Sequence, residues 1–376
     1  MDFSFTEEHL MLKDSVQKFI KRSYDFETRG KIIASAKGFS EKNWNTFAEL
    51  GWLSVPFSEE DGGFGGRVVD LLVLMQEFGR AMIVEPFVAT AIFSGGLLSR
   101  LGSREQKQQF IPAVIEGKLQ LACAFAESAA RYNPASVETT ATAEGDGYLL
   151  NGNKIAVLNG AAADYVLVTA RTGGNSRDRK GISLFLVPAT ASGLKKRAYT
   201  NIDGQQAAEI SLNSVKVSAT DRLGDEGEVI TELEAVIDEV SVALCAEAVG
   251  AMEVLLQKTV EYSKTRNQFG TAIGTFQALQ HRMVDMFVEC ELAKSIVMMA
   301  AMKLDSSDQE CRSQAVSAAK SRVGLAMRRV GQEAVQLHGG IGVTDELDVG
   351  HLFKRITAIE QEFGTTDFHT ARFSGG

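Results

Sequence analysis

The stretch YVLVTARTGGNSRDRKGISLFLV, residues 165–187, decides the fold class of this 376-residue chain. Its two ends are β-branched, apolar runs of strand length, and the polar, glycine-rich segment 171–181 is typical of an exposed loop between two strands. The same texture extends over residues 119–228, where Asn151 and Gly152 form a pair typical of a tight hairpin turn. We therefore predict a central β domain over 119–228.

Helical patterns precede this β domain. Residues 1–118 have apolar positions at helical spacing and two capping-box patterns, Ser4 with Glu7 and Ser103 with Gln106. We therefore predict an N-terminal all-α domain over 1–118.

The helical period returns after the β domain, over residues 229–376. One long helix is predicted around an apolar stripe from Val236 to Leu256, and a second over 278–304. Helical, β and helical blocks in this order favour an α+β fold with segregated layers over a βαβ sheet. No GxGxxG opens a helix after a strand, and no Walker motif is present.

Composition narrows the class of partner and the compartment. Apolar residues make up 45% and charged residues 23%, as in globular proteins, and the net charge of -9 argues against nucleic-acid binding. Neither a signal peptide nor an apolar run of about 20 residues is present, so we expect a cytoplasmic protein without a membrane span. The four cysteines and five histidines are scattered, which indicates no metal site and no disulfide framework.

Two glycine-containing runs near the C-terminus carry candidate ligand-binding groups. In YSKTRNQFGTAIGTFQALQHRMVDM, residues 262–286, an arginine can fork onto phosphate and an aromatic ring can stack on a base or flavin. In QLHGGIGVTDE, residues 336–346, glycines allow a ligand to approach the backbone. An ordinary inter-helix loop and a helix C-cap explain the same residues equally simply.

These runs, taken in order, resemble the acyl-CoA dehydrogenase family, and the resemblance covers nearly the whole chain. GSREQKQQFIPAVIEGK at 102–118 and NGNKIAVLNGAAADYVLV at 151–168 are similar to further family segments. The resemblance implies a helical domain, a β-barrel-like domain and a four-helix bundle. It also implies an oligomer with FAD at a subunit interface. The implied reaction is α,β-dehydrogenation of an acyl-CoA thioester to a 2-enoyl-CoA, with electron-transferring flavoprotein as the expected acceptor.

The resemblance also implies cofactor residues. Those that match the motifs for the diphosphate and adenine side of a neighbour's FAD are Arg266, Gln268, Phe269, Gln277, Gln336, Gly339 and Gly340. Those that fall on the flavin-ring motifs, or just after the usual base, are Ala126, Leu158, Asn159 and Thr365. On the ring side the family's two threonines are replaced by Ala126 and Leu158, so hydroxyl groups are missing there.

The catalytic base is missing from its usual family position. In IEQEFGTT, residues 359–366, that position falls on Phe363. Glu362 is adjacent, but one step along a helix turns a side chain by about 100°. A second position used in the family falls on Val240, and Glu239 is again one residue away. Glu362 and Glu239 are therefore the candidate catalytic residues.

Three interpretations of this pattern remain open. The chain is one subunit of a two-subunit dehydrogenase whose partner supplies the ring pocket and the base, or it is a homo-oligomer that uses Glu239 or Glu362. Alternatively, it is a catalytically silent acyl-CoA-binding or scaffold subunit. In detail, LCAEAVGAMEVLL at 244–256 is similar to small subunits of the pimeloyl-CoA dehydrogenase type, which implies a dicarboxylic or medium-chain acyl-CoA.

Overall fold

The fold is described by a computed structural model, which covers residues 6–65 and 68–375. A first block is helical: α1 (Glu7–Ser23), α2 (Phe26–Ile33), α3 (Glu41–Glu49), α4 (Val68–Ala81), a π-helical segment (Val88–Ser94), α5 (Gly95–Leu101) and α6 (Arg104–Ile115). The capping box of Ser103 with Gln106 is confirmed at the start of α6. Ser4 lies outside the described residues, and α1 is capped by Thr6 together with His9.

A β block follows, and its eight strands form one sheet. The strands are β1 (Leu121–Ala124), β2 (Thr140–Glu144), β3 (Gly147–Leu158), β4 (Tyr165–Arg171), β5 (Ile182–Pro188), β6 (Leu194–Thr200), β7 (Gln206–Ser218) and β8 (Arg222–Leu223). Their order is β6-β7-β3-β2-β4-β5-β8, with β1 also beside β4. The pairing is antiparallel except for the parallel contacts of β4 with β1 and β2. The polar segment 171–181 connects β4 to β5, as predicted.

The predicted hairpin turn at Asn151 and Gly152 is wrong, because both residues lie inside β3. The chain reverses earlier, between Glu144 and Gly147. At Asn151 the register of β3 against β7 shifts, and the Asn151 side chain accepts a hydrogen bond from the Ser214 N–H at 2.8 Å. A β-bulge forms at this point, in which Asn213 and Ser214 of β7 lie opposite Asn151, and the Asn151 amide holds the bulged strand.

A second helical block completes the chain. It contains α7 (Ile230–Thr265), the short strands β9 (Asn267–Gln268) and β10 (Thr271–Ala272), α8 (Gln277–Ala301), α9 (Gln309–His338), α10 (Asp348–Gln361) and α11 (Thr366–Phe373). Four of these helices are long and α11 is short. The helical, β and helical order of the predicted α+β fold is confirmed.

The described residues divide into two compact units. We call residues 6–30, 68–83 and 241–375 the helical unit, and residues 31–65 and 84–240 the sheet unit. The core of the sheet unit is lined by apolar side chains from most of its strands, among them Ala122, Leu150, Val168, Phe185, Val187, Ile210 and Val215. Among the described residues, no helix is both long and apolar enough to cross a membrane.

Candidate active site and cofactor site

The first of two ligand-binding segments lies in the helical unit at the end of α7. Strands β9 and β10 form a minimal hairpin whose two-residue loop is Phe269 and Gly270, with φ values of 55° and 81°. Two positive φ values are what a type I′ hairpin turn requires. The turn projects Phe269, which is 93% exposed, and Arg266 and Gln268 beside it are exposed as well.

The second segment lies where α9 ends. Gly339 has a φ of 66°, and a side chain built at Gly339 or Gly340 would meet no atom of the described chain within 4 Å. Gln336, one turn earlier, is exposed. A positive φ favours glycine, and the open space beside both residues allows a ligand to approach the backbone closely.

Stacked aromatic rings bring these two segments together. Tyr262 of α7 stacks on His338 of α9, with ring centroids 4.5 Å apart and an interplanar angle of 27°. Burial lowers the pKa of His338, although the Ala334 carbonyl 2.8 Å from its Nδ1 atom acts in the opposite direction. We call residues 266–277 and 336–340 the cofactor arm. Gln277, the last residue of the first of these segments, is the first residue of α8 and is exposed.

The cofactor arm has the groups that the diphosphate and adenine side of FAD requires. A guanidinium forks onto phosphate oxygens, an exposed ring stacks on a planar base, and amides bond to ring edges. The backbone at Gly339 and Gly340 is uncovered, so a nucleotide can lie against it. This half of the predicted FAD site fits the cofactor.

The candidates for the flavin-ring side lie in the sheet unit, where their polar groups are already engaged. The Ala126 carbonyl accepts a hydrogen bond from the Ile155 N–H at 2.9 Å. Asn159 is 6% exposed and donates its amide to Gln120 at 3.2 Å. Leu158, at the end of β3, has an apolar side chain. These side chains therefore support the sheet unit and offer a flavin ring no hydroxyl group.

A buried ion pair fixes the segment around Ala126. Lys154 on β3 is fully buried and donates to Glu127 at 2.6 Å and to Thr169 at 2.9 Å. Glu127 in turn accepts the backbone N–H groups of Glu138 and Thr139. Burial lowers the pKa of Lys154 to about 8 although Glu127 raises it. Burial raises the pKa of Glu127, but Lys154 and these hydrogen bonds lower it more.

Glu362 lies at the end of α10 in the helical unit, and it is bound to a buried arginine. Arg355 of α10 donates to Glu362 at 3.0 Å. The same guanidinium forms two hydrogen bonds to Glu247 of α7, at 2.6 and 2.9 Å. Arg355 is 1% exposed and Glu247 is 3% exposed. Glu362, whose side chain is 13% exposed, therefore completes an ion triad around a buried arginine, which we call the buried ion triad.

The second candidate base, Glu239, lies in the sheet unit and is also bound to an arginine. Arg100 of α5 forms an ion pair with Glu239 of α7. It forms a second one, at 3.2 Å, with Glu232, about two turns earlier on the same helix. The adjacent Val240 is fully buried. The resemblance predicts the base at Val240 or Phe363, and Glu239 and Glu362 are each adjacent in sequence to one of these residues.

The turn that contains Phe363 is held by the helices around it. Phe363 has a φ of 56°, and its carbonyl accepts a hydrogen bond from the His369 ring at 3.1 Å. Burial lowers the pKa of His369 to about 3, so the ring is neutral and donates through Nε2. Thr365 caps α11 by accepting the Phe368 N–H at 3.3 Å. The Thr365 hydroxyl is therefore already used by the fold.

Sequence reasoning did not single out Arg355 or Glu247. A pattern that could have found Arg355 is present, because it lies on the apolar face of α10 with Leu352, Ile356 and Ile359. Glu247 likewise interrupts the apolar run VALCAEAVGAM. A charge on an apolar helical face is rarely buried without a partner. Two such charges of opposite sign predict an ion pair between Arg355 and Glu247. They do not predict that the pair also binds Glu362 at the end of α10.

Family models match nearly the whole chain. The N-terminal, middle and C-terminal domains of acyl-CoA dehydrogenase match residues 6–118, 122–215 and 234–374. The chain belongs to the acyl-CoA dehydrogenase family. A probable acyl-CoA dehydrogenase of Bacillus subtilis, YngJ, is 30% identical, over 98% of this chain and 97% of its own length. A short-chain specific acyl-CoA dehydrogenase of Clostridium acetobutylicum is 28% identical, over 100% of this chain and 99% of its own length.

Several solved structures have the same fold. Butyryl-CoA dehydrogenase from Megasphaera elsdenii superposes with a TM-score of 0.91 at 26% identity, covering 100% of this chain and 99% of that chain. The FAD complex of PigA superposes with a TM-score of 0.92 at 25% identity, covering 100% of this chain and 98% of that chain. A chain of the ChsE4-ChsE5 complex of Mycobacterium tuberculosis superposes with a TM-score of 0.89 at 26% identity, covering 100% of this chain and 98% of that chain. The predicted family, its FAD cofactor and its oxidoreductase class are confirmed.

Proposed function

We propose that this acyl-CoA dehydrogenase is one subunit of a two-chain enzyme. Its cofactor arm holds the diphosphate and adenine side of an FAD whose ring lies on a second, non-identical acyl-CoA dehydrogenase chain. That second chain supplies the base that removes a proton from the carbon next to the thioester. FAD, when bound, accepts the hydride from the next carbon, and the product is a 2-enoyl-CoA.

The observation that carries the proposal is the engagement of both candidate bases. A general base must lie within hydrogen-bond reach of the proton that it removes. Glu362 is directed toward the buried Arg355 and Glu239 toward Arg100. Protonation of Glu362 would leave part of the charge of a buried guanidinium uncompensated, which is strongly unfavourable.

The uneven condition of the two cofactor halves supports the same proposal. The arm, which would serve a neighbour's cofactor, keeps an exposed Arg266 and an uncovered Gly339 and Gly340. The ring side of the chain's own site offers Ala126 and Leu158, which have no polar side-chain group. A chain that contributes only to its partner's cofactor needs the first half and not the second.

The finer assignments follow from the resemblance and are proposals too. We propose an acyl-CoA of medium length or with a distal carboxylate, since the local likeness is to pimeloyl-CoA dehydrogenase small subunits. Electron-transferring flavoprotein is the proposed acceptor and the cytoplasm the proposed compartment. The proposed domain limits are 1–118, 119–228 and 229–376.

The decisive measurement is the ratio of flavin to chain, by visible absorbance and chromatography of the released cofactor. The chain purified alone should carry little flavin, whereas a complex with its partner should carry close to one FAD per pair of chains. In that complex, Arg266→Ala should lower flavin retention, because a charge-assisted contact to phosphate is lost. Arg177→Ala, at an exposed arginine of the 171–181 loop, is the matched control.

Three outcomes would contradict parts of this proposal. One FAD per chain in the protein purified alone would restore the homo-oligomer that uses Glu239 or Glu362. Equal flavin in Arg266→Ala and Arg177→Ala complexes would exclude the assigned role of the cofactor arm. A complex that binds acyl-CoA but never flavin would support the silent scaffold subunit.

A further inference from the structure

The buried ion triad of Glu247, Arg355 and Glu362 joins α7 to α10 and to the residue that caps the end of α10. Glu247 is on α7, Arg355 is in the middle of α10, and Glu362 follows the last residue of α10. These hydrogen bonds from the guanidinium to the two carboxylates are 3.0 Å or shorter. A planar guanidinium that is bound to two carboxylates has little rotational freedom, so the triad fixes the position of Glu362.

Three further groups, of which Lys320 and His369 are buried, hold the same short segment. Lys320 of α9 is 1% exposed and donates to the Ile359 carbonyl at 2.6 Å. His369 of α11 is fully buried and bonds to the Phe363 carbonyl. The Glu360 carboxylate accepts the Thr366 N–H at 3.0 Å. Residues 359–366 are thus held from α7, α9, α10 and α11.

The segment held in this way has an unfavourable backbone. Phe363 has a φ of 56° and Gly364 one of 120°, and a side chain at Gly364 would lie 2.5 Å from Phe368 and 2.6 Å from His369. A bulky residue in the left-handed region persists only where its surroundings hold it. Burying an ion triad adds little net stability over apolar packing, so its effect is better sought in the conformation that it selects.

We propose that the ion triad positions the 362–365 turn, with Glu362 as an anchor and Arg355 as the positioning residue. The turn is kept in one conformation, so that Phe363 and Thr365 present fixed surfaces to the bound cofactor and acyl chain. This last step rests on the proposed function, because it assumes that the assembled enzyme binds both. The anchoring itself is a property of the helical unit alone.

Hydrogen–deuterium exchange on the purified chain tests the anchoring. In Arg355→Met, amides of residues 362–368 should exchange about tenfold faster, because the opened turn loses its anchor. Arg355→Lys should restore part of the protection, since an ammonium keeps the charge but cannot bond to both carboxylates in one plane. The control is Arg29→Met, which removes another buried arginine of the helical unit that donates to the Met82 carbonyl.

In the control variant Arg29→Met, the amides of residues 362–368 should exchange no faster than in wild type. Any loss of protection should lie near residue 82. Equal exchange at 362–368 in wild type and Arg355→Met would overturn the proposal. So would an Arg29→Met variant that opens the turn as much as Arg355→Met does. These results do not depend on flavin, so they are separate from a failure of the proposed function.

The assembled enzyme distinguishes an anchor from a base. Glu362→Gln should weaken FAD binding and loosen the turn, while turnover per bound flavin falls less than about tenfold, because an anchor does not transfer a proton. A loss of about a thousandfold or more in turnover, with normal flavin content and normal exchange at 362–368, would make Glu362 the base and overturn the proposal.

Discussion

At the scale of single residues, burial decides the protonation of His369. Its side chain on α11 is fully buried, and its pKa is lowered to about 3, from an ordinary value of 6.5, by burial and by the nearby Lys320. Between pH 6.5 and about 3, His369 is therefore protonated in the unfolded chain and neutral in the folded chain. Where the unfolded state binds more protons, stability falls as the pH falls.

Acid unfolding should therefore depend on His369. Between pH 6.5 and about 3 the wild-type chain should lose about 1.4 kcal/mol per pH unit through this group. His369→Gln should show a shallower loss in urea unfolding at pH 7, 6, 5 and 4, whatever its stability at pH 7. His281→Gln, at an exposed histidine of α8, controls for replacing a histidine. Parallel curves for wild type and His369→Gln would contradict this account.

The Lys154 ion pair allows a comparison of buried and exposed pairs. Lys154→Met should destabilise the chain by about 3 to 5 kcal/mol, because Glu127 keeps a buried charge without its ammonium. Lys216 forms a pair with Glu144 at 3.3 Å on the surface, where its side chain is 79% exposed. Lys216→Met should cost at most about 1 kcal/mol. Denaturant midpoints give both values, and equal losses would refute the buried role of Lys154.

At the scale of elements, helices α4 and α7 of the helical unit pack through glycine. A side chain at Gly79 would overlap the carbonyl of Glu247, and one at Gly250 would overlap the carbonyl of Gln76. Two backbones approach this closely only where both helices lack a Cβ atom. The approach also sets the position of Glu247, and with it one end of the ion triad.

Adding one methyl group at this crossing should separate the helices. Gly250→Ala should destabilise the chain by about 1 to 3 kcal/mol through overpacking, although alanine is the better helix former. Gly30→Ala is the matched control, because Gly30 is exposed on α2 and a side chain there meets nothing within 4 Å. That variant should gain about 0.5 to 1 kcal/mol. Thermal or urea unfolding of both variants checks the difference in sign.

At the scale of the whole molecule, the proposed function makes stability depend on assembly. A ligand that binds only the native state stabilises it by about 2.7 kcal/mol at a hundredfold excess over its dissociation constant. Free FAD should therefore raise the melting temperature of the two-chain complex and leave that of the isolated chain nearly unchanged. Arg266→Ala should reduce the shift and Arg177→Ala should not. An equal shift for the isolated chain would contradict the shared site.

The sequence by itself determined the order of the blocks, the long helices and the family. These depend on local patterns, namely alternation around residues 165–187 and helical spacing around Val236 and Leu256, which are read within a few turns of chain. It also predicts that the family's base position falls on Phe363. The Asn151 and Gly152 pair was misread, because such a pair suits a turn, whereas here the pairing of β3 with β2 and β7 continues through both residues.

Tertiary structure alone decided what the candidate carboxylates do. Glu362 and Glu239 are ordinary acidic residues in the sequence, and their arginines lie seven residues away in one case and more than a hundred in the other. Glu247 reaches Arg355 only because α7 and α10 belong to one packed unit. A charge is defined by the residue, but its partner is set by packing between distant segments, which a local pattern does not encode.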